Sequence, residues 1–503
     1  GVSRVDIGRA VIGGLMATMA LVACSPSPPV DGVSSASSPP PADLATFYTQ
    51  VLTWSPCEDA ECATLSVPVD YARPEDGSID LAVVRRPAAG AAQGTLVVNP
   101  GGPGASGTAY ARAADRVLGM PVVNAFDVVG FDPRGVGGSA PVRCASPGDL
   151  DELIDADATP DTPDEIDEIR RVSALIDCVA PVEGLLDNLS TADSARDLDV
   201  LRAALGQSRL DYLGVSYGTH LGATYAALFP DRVGHFVLDG PLPSGLDAEQ
   251  VTLGQALGFE NSLRRFLEDC RRVGDCPLGD DADTSVGLDR LRELLEALDA
   301  RPAPTADPDR PLTEGAATYA ILLSLYRVSD RPLLRDALAS LVAGDGTPLQ
   351  RLLDERIGRG PDGVYRDNAM DAFYAITCSD RAVAADVPAQ VERLASAAPI
   401  LGEYLGWGNL PCEAAGIVAA RTTPPPAGAS GPAPPMLVIA TTHDPATPYT
   451  WVETFLAEIG SGVLLVRDGD GHTGYREGSD CIDEAVDAFL LDGVLPAPGT
   501  TCV

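Results

Sequence analysis

Apolar strand-like runs alternate with helical runs between about Leu44 and Leu238, and this pattern limits the possible folds more than any other feature of the sequence. The runs "GTLVVN", "RLDYLGV" and "HFVLDG" are strand-like, and "TADSARDLDVLRAALG" has helical apolar spacing with capping residues at its start. Parallel neighbours in a sheet need long connections, which are usually helices. The alternation therefore predicts an α/β protein with a mostly parallel sheet and right-handed crossovers.

The pattern changes from about Pro241 to Ala420, where helical segments such as "GLDRLRELLEALDA" dominate. Strand-like runs return after the Pro/Gly/Ala-rich stretch "TTPPPAGASGPAPP". We therefore predict a catalytic core in two parts, residues 44–240 and 421–503, with a largely helical lid inserted at 241–420.

The N-terminal segment has the features of an export signal. Arg4 and Arg9 accompany an apolar stretch at 10–23, which is too short to span a bilayer comfortably and ends in "LVAC". This ending resembles a bacterial lipobox, in which Cys24 is lipidated; an ordinary signal peptide with a chance cysteine is the alternative. We predict a lipoprotein signal peptide at 1–24 and a Pro/Ser-rich tether at 25–43. The protein is then exported and held by its N-terminal lipid at the outer face of the cell membrane.

Composition excludes several functions. The formal net charge of −37 argues against a nucleic-acid partner, because phosphate binding needs clustered cations. The chain contains no lysine, so a P-loop lysine, a Schiff-base lysine and an S-x-x-K site are all excluded.

The cysteines indicate disulfides rather than a metal site. Ten cysteines remain after Cys24, and no C-x-x-C pair occurs, so we expect no metal and no cofactor. Spacing alone does not fix the connectivity of ten cysteines. Nearest-neighbour pairing predicts Cys57–Cys62, Cys144–Cys178, Cys270–Cys276, Cys378–Cys412 and Cys481–Cys502.

A candidate nucleophile lies in "DYLGVSYGTHLG". Ser216 follows a predicted strand and precedes a predicted helix, and Gly214 and Gly218 leave room for the tight turn of a nucleophile elbow. A serine hydroxyl needs an imidazole to accept its proton and a carboxylate to orient that imidazole.

His472 is the favoured base among the four histidines. It follows a late strand in the glycine-bounded loop "DGDGHTG". His220 is one helical turn past the elbow and should descend with the helix. His235 begins a strand at the wrong edge of the sheet, and His443 directly precedes the favoured acid.

Asp444 is that favoured acid, because it follows the strand "MLVIATTH" and gives the chain order Ser…Asp…His. Asp239, at the end of "HFVLDG", is the competitor. Asp468 and Asp470 are expected to be solvated loop acids.

The loop "NPGGPGASG" at 99–107 is the candidate source of an oxyanion hole, because glycine lets the backbone approach a substrate closely. We predict that the N–H groups of Gly102 and Tyr217 form the hole. Pro103 has no N–H to offer.

Taken together and in order, "NPGGPGASG", "GFDPRGVGGS", "TADSARDLDVLRAALG", "YLGVSYGT", "LDG", "THDPATP" and "GHTG" resemble the tripeptidyl aminopeptidase-like branch of α/β-hydrolases, related to prolyl iminopeptidases. The resemblance covers about residues 45–503. The resemblance is strongest to exported lipoprotein serine hydrolases of high-GC Gram-positive bacteria, which act as proteases and cleave small esters. It implies the α/β-hydrolase fold and a triad of Ser216, Asp444 and His472, with Thr447 orienting the acid loop. Pro100 replaces the histidine of the prolyl iminopeptidase loop, so substrate details of that relative do not carry over.

Three hypotheses for the function follow. The first is a peptidase that removes short N-terminal peptides or cuts a protein, with side activity on small esters. The second is a carboxylesterase or lipase that uses the same triad, and the third is a non-catalytic lipid-anchored binding protein. An aminopeptidase would bind a free ammonium with acids such as Asp239, Asp380 or Glu403. We expect a monomer whose partners are a peptide, protein or ester substrate and, through the lipid, the membrane.

Overall fold

The computed structural model describes residues 42–382, 386–415, 417, 419 and 432–503. Cys24, the predicted signal peptide 1–24 and the tether 25–43 except its last two residues lie outside the described residues. Within the described part of the chain, no helix is long and apolar enough to traverse a bilayer.

One mixed sheet organises the described residues, in the order β1-β2-β3-β5-β4-β6-β7-β8-β9-β10. Strands β1, β2, β3 and β5 pair antiparallel, and every pair from β5 through β4 to β10 is parallel. The strands are β1 (Ser55–Cys57), β2 (Ala60–Pro68), β3 (Ser78–Arg86), β4 (Gly94–Asn99), β5 (Phe126–Phe131), β6 (Leu210–Val215), β7 (Val233–Asp239), β8 (Met436–His443), β9 (Gly462–Asp470) and β10 (Thr501–Cys502).

The strand order reverses at β4, which lies between β5 and β6. Ligands of open α/β sheets bind at such a reversal, beyond the carboxyl ends of the strands. Asn99 at the end of β4 pairs in register with Gly214 near the end of β6. The glycine-rich loop and the serine turn therefore leave the sheet side by side.

Two layers of helices cover the sheet. Side chains of a strand alternate between its faces, so Val97 joins the core on one face and Leu96 joins the core on the other. The helices before the insertion are α1 (Ala45–Tyr48), α2 (Gly107–Arg112), α3 (Ala114–Val117), α4 (Met120–Ala125), α5 (Pro147–Asp155), α6 (Pro163–Ser173), α7 (Thr191–Ala204) and α8 (Tyr217–Leu228).

The segment between β7 and β8 is helical in its described residues. Its helices are α9 (Ala248–Val273), α10 (Thr284–Ala300), α11 (Glu314–Ser324), α12 (Arg331–Val342), α13 (Thr347–Ile357), α14 (Ala369–Asp380), α15 (Val387–Ala397), α16 (Gly402–Trp407) and α17 (Leu410–Ala414). Helices α9 to α13 share a hydrophobic core of their own, with Phe259, Leu291 and Leu338 among its members. After β8 come α18 (Val452–Ile459) and α19 (Asp480–Asp492).

Part of the predicted lid, helix α14 in particular, packs into the core of the sheet. Ala372, Ala375 and Ile376 belong to the core cluster on one face of the sheet. The carboxylate of Asp371 accepts hydrogen bonds from the N–H groups of Cys144 and Ala145. Polar contacts to backbone groups of the core thus fix a helix whose sequence position suggested a lid.

All ten cysteines of the described residues form disulfides, in the five pairs given by nearest-neighbour order. The bond Cys378–Cys412 joins α14 to α17, and Cys481–Cys502 joins α19 to β10. Structural disulfides persist in oxidising compartments, so this framework is that of an exported protein.

Candidate active site

Ser216 occupies a strained turn between β6 and α8. Its φ of 57° and ψ of −122° lie outside the regions that side-chain-bearing residues favour. A Cβ on Gly214 would lie 2.2 Å from the carbonyl oxygen of Gly218, and a Cβ on Gly218 would lie 2.8 Å from that of Asn99, so neither position accommodates a larger residue. The sharp turn is that of a nucleophile elbow, which directs the hydroxyl away from the sheet edge.

His472 is bound to Asp444. The imidazole Nδ1 lies 2.9 Å from Asp444 Oδ1 and 3.0 Å from Oδ2. Because an ionised carboxylate only accepts, this contact fixes the proton of the neutral ring on Nδ1. The remaining ring nitrogen, Nε2, is the one that can accept a proton.

Asp444 is itself held by its own loop. Its carboxylate accepts hydrogen bonds from the N–H groups of Ala446, Thr447 and Thr473, at 2.9 to 3.0 Å. The hydroxyl of Thr447 donates to Asp444 Oδ2 at 3.0 Å and lies 3.4 Å from His472 Nδ1. The acid is 3% exposed, so it faces the histidine in a largely water-free setting.

The surroundings of His472 favour its charged form. Burial lowers the pKa of His472, but the charge of Asp444 and its hydrogen bond outweigh burial, with smaller contributions from Asp239 and Glu477. The net effect raises the pKa above its usual value. Such an imidazole accepts a proton readily once neutral.

His472 Nε2 is buried and has no hydrogen-bond partner among the described residues. No hydrogen bond joins it to Ser216 in this structure. Both residues nevertheless lie next to the end of β7. A Cβ on Gly240 would lie 3.4 Å from His472 Cε1, and the carbonyl oxygen of the preceding residue, Asp239, accepts the N–H of Ser216. Catalytic hydrogen bonds are often long before a substrate binds.

The glycine-rich loop contacts the elbow directly. A Cβ on Gly101 would lie 2.4 Å from the carbonyl oxygen of Val215, and the N–H of Gly101 donates to Asn99 Oδ1 at 2.9 Å. The N–H of Gly102 has no acceptor among the described residues. Tyr217 is the first residue of α8, so its N–H has no acceptor within the helix.

The side chain of Tyr217 is held by buried hydrogen bonds through Thr191 and Asp380. Its hydroxyl is hydrogen-bonded to Thr191 Oγ1, which donates to Asp380 Oδ2 at 2.6 Å. Asp380 Oδ1 accepts the N–H of Thr191 at 2.7 Å. Both oxygens of Asp380 are engaged beneath Tyr217, and a role of Asp380 in binding a substrate ammonium stays a prediction.

Asp239 is likewise engaged away from any substrate. It is 1% exposed and accepts hydrogen bonds from the N–H groups of Gly474 and Tyr475. Burial raises the pKa of Asp239 to about 7 against the lowering effect of these N–H groups. In this structure Asp239 supports the loop of His472, and its ammonium-binding role stays a prediction.

Glu403 accepts a hydrogen bond from Trp407 Nε1 at 3.4 Å on the same helix. Burial raises its pKa, and the nearby charges of Asp157 and Asp161 raise it further. Glu403 is thus associated with the 157–161 loop, and no contact joins it to Asp444 or His472.

The other histidines have local roles. Burial lowers the pKa of His220 to about 3, and its Nε2 lies 4.0 Å from Asp380 Oδ2. His235 Nδ1 lies 3.7 Å from Asp211, and His443 contacts Asn261.

One loop acid is not solvated as expected. Asp470 forms ion pairs with Arg265 of α9 and Arg331 of α12, the latter at 2.9 Å, and its side chain is 15% exposed. These two arginines lie 139 and 205 residues away in the sequence, so the sequence of the loop itself does not indicate the ion pairs. Asp468 is exposed, as predicted.

Tyr326 is a site residue that sequence reasoning missed. Its carbonyl oxygen accepts the N–H of His472 at 2.7 Å, and its ring packs edge-on against the imidazole at 5.4 Å. The segment "ATYAILLSLYR" indicates only a helix, so no local signal marks this contact.

Three carboxylates outside this site could hold a cation: Asp157, Asp299 and Glu314 have oxygens within 4.8 Å of one another. Both oxygens of Glu314 already accept hydrogen bonds, from the Ala158 N–H and the Thr159 hydroxyl. Serine-based hydrolysis needs no metal, so the group adds nothing to this site.

Comparison with known proteins gives consistent matches. A family model described as TAP-like protein matches residues 375–502. The chain is 36% identical over 485 residues to serine protease Hip1 of Mycobacterium tuberculosis (strain H37Rv), covering 90% of this chain and 91% of that protein. It is 36% identical over 498 residues to carboxylesterase B of the same strain, covering 95% and 94%. It is 32% identical over 467 residues to tripeptidyl aminopeptidase of Streptomyces lividans, covering 89% and 84%.

Proposed function

Because the chain belongs to the tripeptidyl aminopeptidase-like family of α/β-hydrolases and is a serine hydrolase, we propose that it cleaves peptide bonds through an acyl-enzyme on Ser216. One observation carries the proposal. His472 is fixed to Asp444 through Nδ1, which leaves a buried Nε2 that has no hydrogen-bond partner among the described residues. An imidazole in this state is equipped to take a proton from a hydroxyl.

The proposed first step forms the acyl-enzyme. Ser216 Oγ attacks the scissile carbonyl carbon while its proton passes to His472 Nε2. Asp444 stabilises the imidazolium, and the oxyanion accepts hydrogen bonds from the N–H groups of Gly102 and Tyr217. The carbon–nitrogen bond then breaks, and the leaving amine takes the proton from His472.

The second step releases the acid. Water attacks the ester carbonyl and gives its proton to the same nitrogen, and the returning proton restores the hydroxyl of Ser216. Thr447 positions the acid in both steps, because its hydroxyl and its N–H both bind Asp444.

Peptide cleavage is favoured because relatives with high coverage are named a serine protease and a tripeptidyl aminopeptidase. Carboxylester hydrolysis is the second candidate, since an equally similar relative is named carboxylesterase B. Both reactions use the same triad, so the substrate subsites decide between them. A non-catalytic binding protein has no comparable support.

A substrate panel tests the proposal. It contains tripeptide and single-residue anilides with free and blocked N-termini, beside short- and long-chain p-nitrophenyl esters. The wild-type protein should cleave at least one class of peptide anilide, and Ser216→Ala should cleave none. Peptide turnover by Ser216→Ala at the wild-type rate would refute the nucleophile, and turnover of esters alone would favour the carboxylesterase.

For the location, we propose that Cys24 carries a lipid that holds the exported protein at the cell membrane. The support is the lipobox-like "LVAC" followed by a Pro/Ser-rich tether. In a lipidating bacterial host, the wild-type protein should fractionate with membranes and Cys24→Ala should not. Equal recovery of both in the membrane fraction would contradict lipid anchoring.

A further inference from the structure

Four tyrosines of the helical segment have partly exposed rings and free hydroxyls: Tyr319, Tyr326, Tyr374 and Tyr404. None of the four hydroxyls has a hydrogen-bond partner among the described residues. Several other largely buried tyrosines among the described residues do have a partner; Tyr48, for example, donates to Asp199 at 2.7 Å. An unpaired phenol in such a setting is costly unless water or a ligand meets it.

Two of these tyrosines connect the proposed base to the helical segment. The ring of Tyr326 packs edge-on against His472, with Phe259 of α9 on its other side at 5.2 Å. Tyr319 lies seven positions earlier, in α11, and its ring centroid is 6.3 Å from that of Tyr404 in α16.

Tyr374 approaches from the side of the glycine-rich loop. Helix α14 packs so closely on this loop that a Cβ on Gly104 would lie 2.4 Å from the carbonyl oxygen of Ala369 and 3.0 Å from the N–H nitrogen of Phe373. Tyr374 is the next residue along that helix. The four tyrosines thus belong to segments that contact His472 at one end and the glycine-rich loop at the other.

Tyr319, Tyr326 and Tyr404 pack against the same hydrophobic cluster of the helical segment, and burial keeps the hydroxyls of all four tyrosines neutral. Burial raises the pKa of Tyr319 to about 12 and raises those of the other three further. The oxygen of Tyr319 contributes to the raised pKa of Tyr326, Tyr374 and Tyr404. All four hydroxyls are therefore neutral at neutral pH, and each can donate and accept a hydrogen bond.

We propose that these four hydroxyls form a substrate subsite that binds the amide groups of a peptide and discriminates against a hydrocarbon acyl chain. The inference rests on the proposed peptidase function and specifies its substrate class. A peptide supplies carbonyl acceptors and N–H donors to the phenols. A hydrocarbon chain would displace their water and leave the hydroxyls unpaired, a situation that active sites reject strongly.

The nearby acids do not change this chemistry. Asp239 and Asp380 are engaged beneath the histidine loop and beneath Tyr217, and Glu403 is associated with Trp407. The four phenols are themselves neutral, so they select a ligand by hydrogen bonding rather than by ion pairing.

The test compares two substrates for the same triad, a tripeptide p-nitroanilide and p-nitrophenyl hexanoate, which differ in the acyl group and in the bond that is broken. Tyr319→Phe and Tyr404→Phe each remove one oxygen and keep the ring. Each should lower kcat/KM for the peptide about three- to tenfold, the effect of one lost hydrogen bond. Turnover of the hexanoate ester should stay the same or rise.

Tyr48→Phe is the matched control, since it removes a satisfied phenol on α1 and should leave the peptide-to-ester ratio unchanged. The subsite is refuted if Tyr319→Phe and Tyr404→Phe keep the wild-type ratio, including the case in which both substrates decline equally. Ester cleavage without peptide cleavage by the wild-type protein would instead refute the peptidase function itself.

Discussion

Ser216 and Asp239 are joined by a hydrogen bond of 2.8 Å, which the backbone N–H of Ser216 donates to the backbone carbonyl of Asp239. The carboxylate of the same aspartate accepts the N–H groups of Gly474 and Tyr475, just after His472. A single buried residue therefore ties the turn of the nucleophile to the loop of the base.

Asp239→Asn should disturb that connection without touching the substrate. An amide NH₂ cannot accept the N–H groups that the carboxylate accepts, so kcat should decrease about five- to twentyfold with little change in KM. Asp239 also raises the pKa of His472. Its neutralisation should shift the acid limb of the kcat/KM profile to lower pH.

The pH profile separates this role from a general loss of stability. Asp468→Asn, which neutralises an exposed acid near the same loop, is the control and should leave the acid limb in place. An unshifted limb in Asp239→Asn would show that Asp239 does not tune the base.

Wild-type activity should depend on pH through His472. The base must be neutral, and its pKa lies above the usual 6.5. Activity should therefore be lost as the pH falls through the raised pKa of His472, and kcat/KM should be half-maximal above pH 6.5. A profile that is flat between pH 5 and 8 would contradict His472 as the base.

Asp444→Asn should abolish most of the activity. The amide can donate to Nδ1 and so favour the wrong tautomer of His472, and it cannot stabilise the imidazolium. We expect kcat to decrease about 10³- to 10⁴-fold, while the unfolding midpoint in urea changes far less. A decrease of less than tenfold would assign the acid elsewhere.

Tyr217→Phe should weaken the oxyanion hole although the backbone N–H remains. The substitution breaks the link to Thr191 and Asp380 that holds the first turn of α8. We expect kcat to decrease about three- to tenfold at unchanged KM. Tyr225 lies on the same helix as Tyr217, and its hydroxyl is bound to Asp199 of α7. Tyr225→Phe should therefore leave kcat unchanged.

Arg134→Met should destabilise the fold rather than the chemistry. The guanidinium is fully buried and pairs through two nitrogens with Asp197, each at 2.7 Å. Removing it leaves an unpaired buried carboxylate, at a cost of about 3–5 kcal/mol in the free energy of unfolding. Urea denaturation measures the loss. Arg73→Met, on an exposed pair, should leave the urea unfolding midpoint almost unchanged.

Much of the fold could be predicted because its signals are local. The α/β-hydrolase architecture is confirmed, and the strand, glycine turn and helix around Ser216 could be recognised from about twelve residues. The strands that precede Asp444 and His472 could be recognised in the same way, because apolar runs and glycines determine strand ends locally.

The remaining features depend on distant contacts. The sequence predicts Asp239, Asp380 and Asp470 to be substrate-binding or solvated acids. In the fold their partners are Tyr475, Thr191 and Arg331, which lie 139 to 236 residues away in the sequence. A carboxylate at the end of a strand looks the same in sequence whether it meets a substrate or a backbone N–H.

The packing of α14 against the core has a consequence for protein engineering. Asp371 and the disulfide Cys378–Cys412 attach this helix to its surroundings, and Gly104 contacts its first turn. A chimera that exchanges substrate-binding modules between relatives should therefore transplant residues 248–357 and retain 368–382 with the recipient scaffold. Moving the whole insertion would exchange part of the catalytic framework together with the module.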